Sequence, residues 1–93
     1  MSFKALFVSN DETYYVNIVF PHEILGPTTI VGALPEKDLV MLANEIQTPD
    51  TGPILSNPYI NAFNKENTIY GNILIIQTNQ NGDPIDISDN NDI

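Results

Sequence analysis

Residues 68–78 read Thr-Ile-Tyr-Gly-Asn-Ile-Leu-Ile-Ile-Gln-Thr and carry the strongest strand pattern in this 93-residue chain. β-branched and aromatic side chains favour extended backbone because they fit a pleated, partly buried surface. Ile73 to Ile76 form an unbroken apolar run, which is typical of a strand that is covered on both faces. We therefore predict a central strand over residues 68–78, with a bulge at Gly71 where it begins.

A β-hairpin is predicted at the start of the chain. Residues 3–8 and 14–20 are rich in β-branched and aromatic types, and the turn-forming segment 9–13 separates them. Successive side chains of a strand point to opposite faces, and one set in the second strand is apolar throughout. That set is Tyr14, Val16, Ile18 and Phe20. We expect it to face the core.

Two further strands are predicted after the hairpin. Residues 28–34 are short and apolar, and Gly32 interrupts them, which indicates a strand with a bulge. Residues 39–43 predict a buried strand that follows a turn over residues 35–38. A helix over residues 36–46 is the competing interpretation, because the apolar positions in that window also fit a 3.6-residue period.

Helical turns and tight turns are predicted around these strands. Residues 22–25 can form one helical turn, and residues 57–64 a packed loop or a short helix that begins at their proline. Residues 79–83 contain an Asn-Gly pair, which favours positive φ in a tight turn. Residues 84–87 then predict a returning edge strand, and residues 88–93 a polar tail that is expected to fray.

Together these elements predict one domain over residues 1–93 with an α+β fold. We expect a small, mainly antiparallel sheet of about five strands, with one or two short helices. The chain has no cysteine and no apolar run of about 18 residues. It is therefore expected to be a soluble cytoplasmic protein whose fold depends on packing alone.

The charge balance of the chain is strongly acidic. Twelve Asp and Glu residues face three cationic side chains, Lys4, Lys37 and Lys65, for a formal net charge of −9. Phosphate contacts require clustered cations, so direct binding to DNA or RNA is not expected. Acidity of this kind either keeps a small protein soluble or attracts a positively charged partner.

No residue pattern in the chain predicts catalysis, a cofactor or a metal site. His22 is the only histidine, and the adjacent Glu23 is not expected to orient it, because neighbours in sequence do not face one another on a helix. Glu36, Asp38 and Glu45 could supply a carboxylate pair, but a solvated face is the simpler interpretation. An EF-hand alignment over residues 77–88 fails at its first and last ligands. We expect no enzyme activity.

The candidate binding residues are acidic or aromatic. Asp83, Asp86, Asp89 and Asp92 recur every three residues, and Glu45 follows a predicted strand. Aromatic side chains dominate binding energy at protein interfaces, and two tyrosines are expected to be exposed. These are Tyr15 and Tyr59. We predict that the carboxylates and these two rings contact a partner.

Four short segments share their order and spacing with a known family. They are Ile-Val-Gly-Ala at 30–33, Leu-Val-Met-Leu-Ala-Asn-Glu at 39–45, Ile-Tyr-Gly-Asn-Ile-Leu-Ile-Ile at 69–76, and Gly-Asp at 82–83, followed by Asp-Ile-Ser-Asp at 86–89. Over about residues 29–89 the chain resembles a family of short domain-of-unknown-function proteins of bacteria, phages and conjugative elements. Ala33 stands where that family usually has a second glycine. The resemblance implies a mobile-element setting and assigns no activity.

Three functions remain open from the sequence. The first is an acidic inhibitor that occupies the basic surface of a host nuclease or defence effector, with its carboxylates in place of phosphates. The second is a binder of a small signalling nucleotide, which would stack on Tyr59 or Phe63; the absence of Arg opposes it. The third is an oligomeric accessory protein, a homo-oligomer that pairs through residues 84–87.

Overall fold

The computed structural model describes residues 2–9, 12–48, 50 and 69–88. The elements in order are β1 (Phe3–Val8), β2 (Thr13–Ile18), α1 (His22–Leu25), β3 (Thr28–Leu34), a 3₁₀ turn (Pro35–Lys37), β4 (Leu39–Asn44), β5 (Ile73–Thr78) and β6 (Pro84–Ile85). The strands form one antiparallel sheet in the order β2-β1-β5-β4-β3, and β6 pairs with β5.

β5 is the central strand, as the sequence predicts. It pairs with β1 on one side and β4 on the other, and Ile73, Leu74 and Ile75 have no exposed surface. The strand is shorter than predicted and begins at Ile73, because Gly71 turns the backbone with a φ of +79°. Before it, the backbone of Tyr70 bonds to the side chain of Gln47.

Apolar side chains pack on both faces of the sheet, since alternate residues of β1, β4 and β5 point to opposite sides. The first face consists of Leu6, Val8, Leu39, Met41, Ala43, Ile73 and Ile75, with Ile69 and Ile87 against it. The second face consists of Phe3, Ala5, Phe7, Ile18, Leu42, Leu74 and Ile76, with Leu25 of α1 against it. A shift of register by one residue would move each set of side chains to the opposite face. Because both faces are apolar, the polarity of the side chains does less to select the register than their shape does.

The predicted N-terminal hairpin is confirmed, but its predicted core set is only half right. β1 and β2 pair without interruption from Phe3↔Ile18 to Val8↔Thr13. Ile18 is buried, whereas Tyr14 is 46% exposed and Phe20 is 55% exposed. The reason is position: β2 lies at the edge of the sheet, and it ends before Phe20.

The predicted strands of the middle segment are confirmed, and the helix over residues 36–46 is wrong. β3 carries the predicted bulge, between Ile30 and Gly32. β4 forms a strand because it pairs with β3 on one side and β5 on the other, and this pairing overrides its helical periodicity. The turn between β3 and β4 closes at Asp38, which has a left-handed φ of 56°.

The predicted return strand is confirmed over Pro84–Ile85, but it does not lie at an edge of the sheet. β6 pairs with the end of β5. On its other side, the N–H of Ile87 donates to the carbonyl of Lys4 in β1 at 2.9 Å. Residues 84–87 therefore lie between β5 and the start of β1, where they cannot offer a free edge.

The predicted α+β class is wrong, because the described residues form mainly antiparallel sheet. The predicted helical turn at His22–Leu25 is confirmed, yet it has four residues and the 3₁₀ turn has three. Each is a connection between strands and forms no layer of its own. The predicted loop or helix over 57–64 and all but the first residue of the polar tail lie outside the described residues. Within those residues, no helix is long and apolar enough to cross a membrane.

Ile75→Ala is expected to lower the free energy of unfolding by about 2–5 kcal/mol, because it leaves a cavity in the centre of the sheet. Ile75 has no exposed surface and pairs with Leu6 and Met41. Urea denaturation followed by circular dichroism measures the change. Ile30→Ala is the matched control, since Ile30 is 64% exposed, and it should cost less than about 1 kcal/mol. Equal losses in the two variants would contradict the position of the core.

Candidate functional site

Four exposed carboxylates lie at one end of the sheet, three on its two turns and one just after β6, and we call this set the acidic end. It consists of Glu36, Asp38, Asp83 and Asp86. β4 begins and β5 finishes at this end because the two strands are antiparallel, with Leu39 opposite Gln77. The 3₁₀ turn before β4 is bonded to the last residue of β5, since the N–H of Thr78 donates to the carbonyl of Asp38 at 2.9 Å.

The turn between β5 and β6 holds Asp83 through a compact set of hydrogen bonds around Asn79. The side-chain oxygen of Asn79 accepts from the N–H groups of Asn81, at 2.9 Å, and Asp83, at 3.0 Å. Gly82 has a φ of +85°, as its Asn-Gly pair predicts. The carboxylate of Asp83 is exposed beyond this closed turn.

Asp86 differs from the other members of the acidic end because its carboxylate supports the fold. The N–H of Lys4 donates to its Oδ1 at 2.6 Å, while the carbonyl of Lys4 accepts from the N–H of Ile87. A charged acceptor makes this hydrogen bond stronger than a neutral one. Asp86 therefore joins the segment after β6 to the start of β1.

A cationic side chain also lies at the acidic end. Lys37 lies in the 3₁₀ turn, so the four carboxylates and this ammonium carry a formal charge of −3, from −4 and +1. The Nζ of Lys4, whose backbone N–H bonds to Asp86, lies 4.6 Å from the ring centroid of Tyr15 in β2. The acidic end thus keeps a net negative charge.

The structure separates the predicted partner-binding residues. Asp83 and Asp86 lie at the acidic end, whereas Glu45 follows β4 at the opposite end, where its N–H donates to the carbonyl of Pro27. Tyr15 is 46% exposed on the edge strand β2. The remaining three, Asp89, Asp92 and Tyr59, lie outside the described residues. The predicted set therefore does not form one continuous surface among the residues that the structure describes.

Sequence reasoning missed Glu36 and Asp38 as members of this group, because it considered them only as a pair for acid–base chemistry. The sequence does predict the turn over residues 35–38 that carries both carboxylates. It does not show which other segment of the chain lies next to that turn in the folded protein. Residues 38 and 78 meet only because β4 and β5 pair in the sheet.

Other titratable side chains form no reactive arrangement in the described part of the chain. His22 is exposed and its ring stacks on Phe20, with centroids 5.4 Å apart. Glu45 lies at the opposite end of the sheet from Glu36 and Asp38, so the three do not converge. Residues 2–9, 12–48, 50 and 69–88 contain no group of three His, Cys, Asp or Glu side chains that could hold a metal ion.

Comparison with protein families matches residues 10–91 to a family of unknown function, DUF5880. The chain belongs to the DUF5880 family. The prediction that the chain belongs to a family of unknown function is thereby confirmed. The DUF5880 match begins at residue 10, earlier than the resemblance over residues 29–89, so it also includes β2 and α1. Comparisons with curated proteins and with solved structures found no significant match.

In this DUF5880 protein, Asp86→Ala is expected to lower the free energy of unfolding by about 1 kcal/mol, because the N–H of Lys4 loses its acceptor. Asp83→Ala, in the same region, is the control and should change stability by no more than about 0.5 kcal/mol. Chemical denaturation measures both. A loss at Asp83 as large as that at Asp86 would contradict the structural role of the Asp86 carboxylate.

Proposed function

We propose that this DUF5880 protein binds a protein with a positively charged surface and inhibits it, and that the acidic end makes the main contact. The partner we propose is a host protein that handles nucleic acid, such as a nuclease or a defence effector. The setting we propose is a phage or another mobile genetic element, on the strength of the motif resemblance alone.

The observation that supports this proposal is the exposure of the acidic side chains. Every carboxylate in the described residues is exposed. These are Glu12, Glu23, Glu36, Asp38, Glu45, Asp50, Asp83 and Asp86. Because none is buried, each is accessible to a partner, and at the acidic end the carboxylate of Asp86 also bonds to another strand, β1.

A net charge of −9 in 93 residues produces a long-range field that attracts cationic surfaces. Nucleic-acid-binding grooves are lined with Lys and Arg, and a carboxylate presents them with the same sign of charge as a phosphate. The acidic end offers such groups on two adjacent turns. Contact of this kind accelerates association and sets the orientation of the complex more than it adds affinity.

The two turns give the acidic end a defined shape. The hydrogen bond between Thr78 and Asp38 fixes the turn before β4 to the last residue of β5, and Asn79 closes the turn that follows β5. A fixed arrangement of charges loses little conformational entropy when a partner binds. The acidic end is therefore better suited to a partner than carboxylates on isolated loops would be.

Affinity capture from the lysate of the organism that carries the gene tests the proposal. We expect the chain to retain a basic, nucleic-acid-binding protein at 50 mM salt and to lose at least about nine-tenths of it at 500 mM, because screening weakens contacts between exposed charges. Added DNA or RNA should displace the same protein and restore its activity. Retention of proteins with no basic surface, or no competition by nucleic acid, would contradict the proposal.

The double variant Glu36→Gln, Asp83→Asn distinguishes binding through the acidic end from an effect of the net charge of the chain. It should weaken binding to the captured partner by about tenfold, since both carboxylates lie on the contacting turns. Glu12→Gln, Glu45→Gln is the matched control, because it removes the same charge from the opposite end of the sheet. Titration by isothermal calorimetry compares them. Equal weakening by the two variants would show that net charge, and not this surface, governs binding.

A further inference from the structure

We propose that two copies of this chain pair through β2, in an antiparallel two-fold dimer with one continuous sheet. Among the described residues, β2 has a strand on one side only, namely β1. In the part of the chain that the structure describes, its other side is an edge, and an edge strand presents unpaired backbone groups that can accept a strand from another molecule.

The hydrogen bonds of the hairpin show which backbone groups face this edge. The N–H of Ser9 donates to the carbonyl of Glu12 at 2.8 Å, so these two residues form a bonded pair next to the turn. Bonded and non-bonded pairs alternate along an antiparallel ladder. Among the pairs that follow, Val8↔Thr13, Leu6↔Tyr15 and Lys4↔Asn17 are therefore the non-bonded ones.

The contacts of Lys4 confirm this alternation independently. Its N–H and carbonyl both bond to the segment after β6, on the side of β1 away from β2. Its partner Asn17 must therefore also direct its backbone groups away from β1, toward the edge. By the same alternation Thr13 and Tyr15 do so too.

These three outward residues are self-complementary. When a second copy approaches in the antiparallel direction, Tyr15 can lie opposite Tyr15 of that copy, with Thr13 opposite Asn17 on either side. Each opposed pair then exchanges two hydrogen bonds, so all the outward groups of the three residues are used. Opposed residues in this register also share a face, which keeps the two sheets continuous.

The side chains of β2 favour a partner that is neither charged nor strongly polar. Residues 13–20 contain no charged residue, although the chain carries a net charge of −9. Tyr14 and Tyr15 are each 46% exposed. In the dimer, the two Tyr15 rings meet on the first face, and Tyr14 meets Val16 on the second.

Among the described residues β3 forms the other edge of the sheet, and it lacks these properties. β3 contains the bulge between Ile30 and Gly32, which interrupts its ladder and twists the strand. β2 pairs with β1 in unbroken register over six residues. Bulges are a common protection against pairing between edges, and β2 does not have one.

Charge also favours the antiparallel arrangement over a parallel one. Antiparallel pairing of β2 places the acidic ends of the two copies at opposite ends of the joined sheet. Like charges are then far apart, whereas parallel pairing would bring them side by side. The remaining repulsion across the dimer comes from charges that flank the strand, such as Glu12 and Glu23, and salt screens it.

Sedimentation equilibrium over a range of protein concentrations tests the dimer. One pair of strands buries a small area, so we expect a dissociation constant on the order of 10–100 µM. Dimerisation should become stronger between 50 and 500 mM salt, the opposite of the expected behaviour toward a basic partner. A monomer at both salt concentrations, up to about 1 mM protein, would overturn the proposal.

Tyr15→Glu should weaken the dimer by about tenfold or more, because it places two carboxylates directly opposite each other at the two-fold axis. In the monomer the new carboxylate lies near the Nζ of Lys4, which can pair with it. Ile30→Glu is the matched control: it adds the same charge to the other edge, at an exposed position, and should leave dimerisation within about twofold of wild type. Equal effects in the two variants would overturn the assignment to β2.

Cross-linking tests the register even if Tyr15→Glu perturbs folding. The chain has no cysteine, so a single cysteine at position 15 can form a disulfide only with its copy. Opposed residues of a bonded pair have Cα atoms about 5.5 Å apart, within disulfide range. Under mild oxidation Tyr15→Cys should give a covalent dimer, and Ile30→Cys should not. Cross-linking at position 30 alone, or at neither position, would contradict the interface.

Discussion

The burial of β5 between β1 and β4 is the constraint on which the rest of the structure depends. Its four apolar residues in succession supply side chains to both faces of the sheet, so the strand cannot lie at an edge without exposing one of them. Each face then packs around it, with β1 and β4 contributing to both. The hairpin β1–β2 and the hairpin β3–β4 are positioned as two units on either side of this strand.

This arrangement also determines where charge can lie. An interior filled on both faces by aliphatic and aromatic side chains has no place for a carboxylate without a partner. The acidic side chains therefore lie on turns and connections. Because β4 begins where β5 ends, two of those turns lie at the same end of the sheet, together with carboxylates that are about 45 residues apart in the chain.

The same sheet has two kinds of polar surface, with different physical properties. At the acidic end, charge acts at a distance and weakens as salt rises. At the edge of β2, backbone hydrogen-bonding groups act only on contact and in one register, and no charged side chain lies among them. The two associations that we propose, with a cationic partner and with a second copy, would therefore use separate surfaces.

The sequence by itself determined the central strand, the hairpin β1–β2, the bulge at Gly32 and the turn at Gly82, because each depends on local pattern and backbone preference. It also determined that this chain is acidic and without arginine. Only the tertiary structure decided that residues 39–44 are a strand instead of a helix, since two neighbouring strands supply the hydrogen bonds that select it. It alone placed residues 84–87 inside the sheet, put Glu36 and Asp38 at the same end of the sheet as Asp83, and put Glu45 at the opposite end. These outcomes depend on which strands become neighbours, and such long-range pairing is set by packing over the whole sheet and not by any single segment.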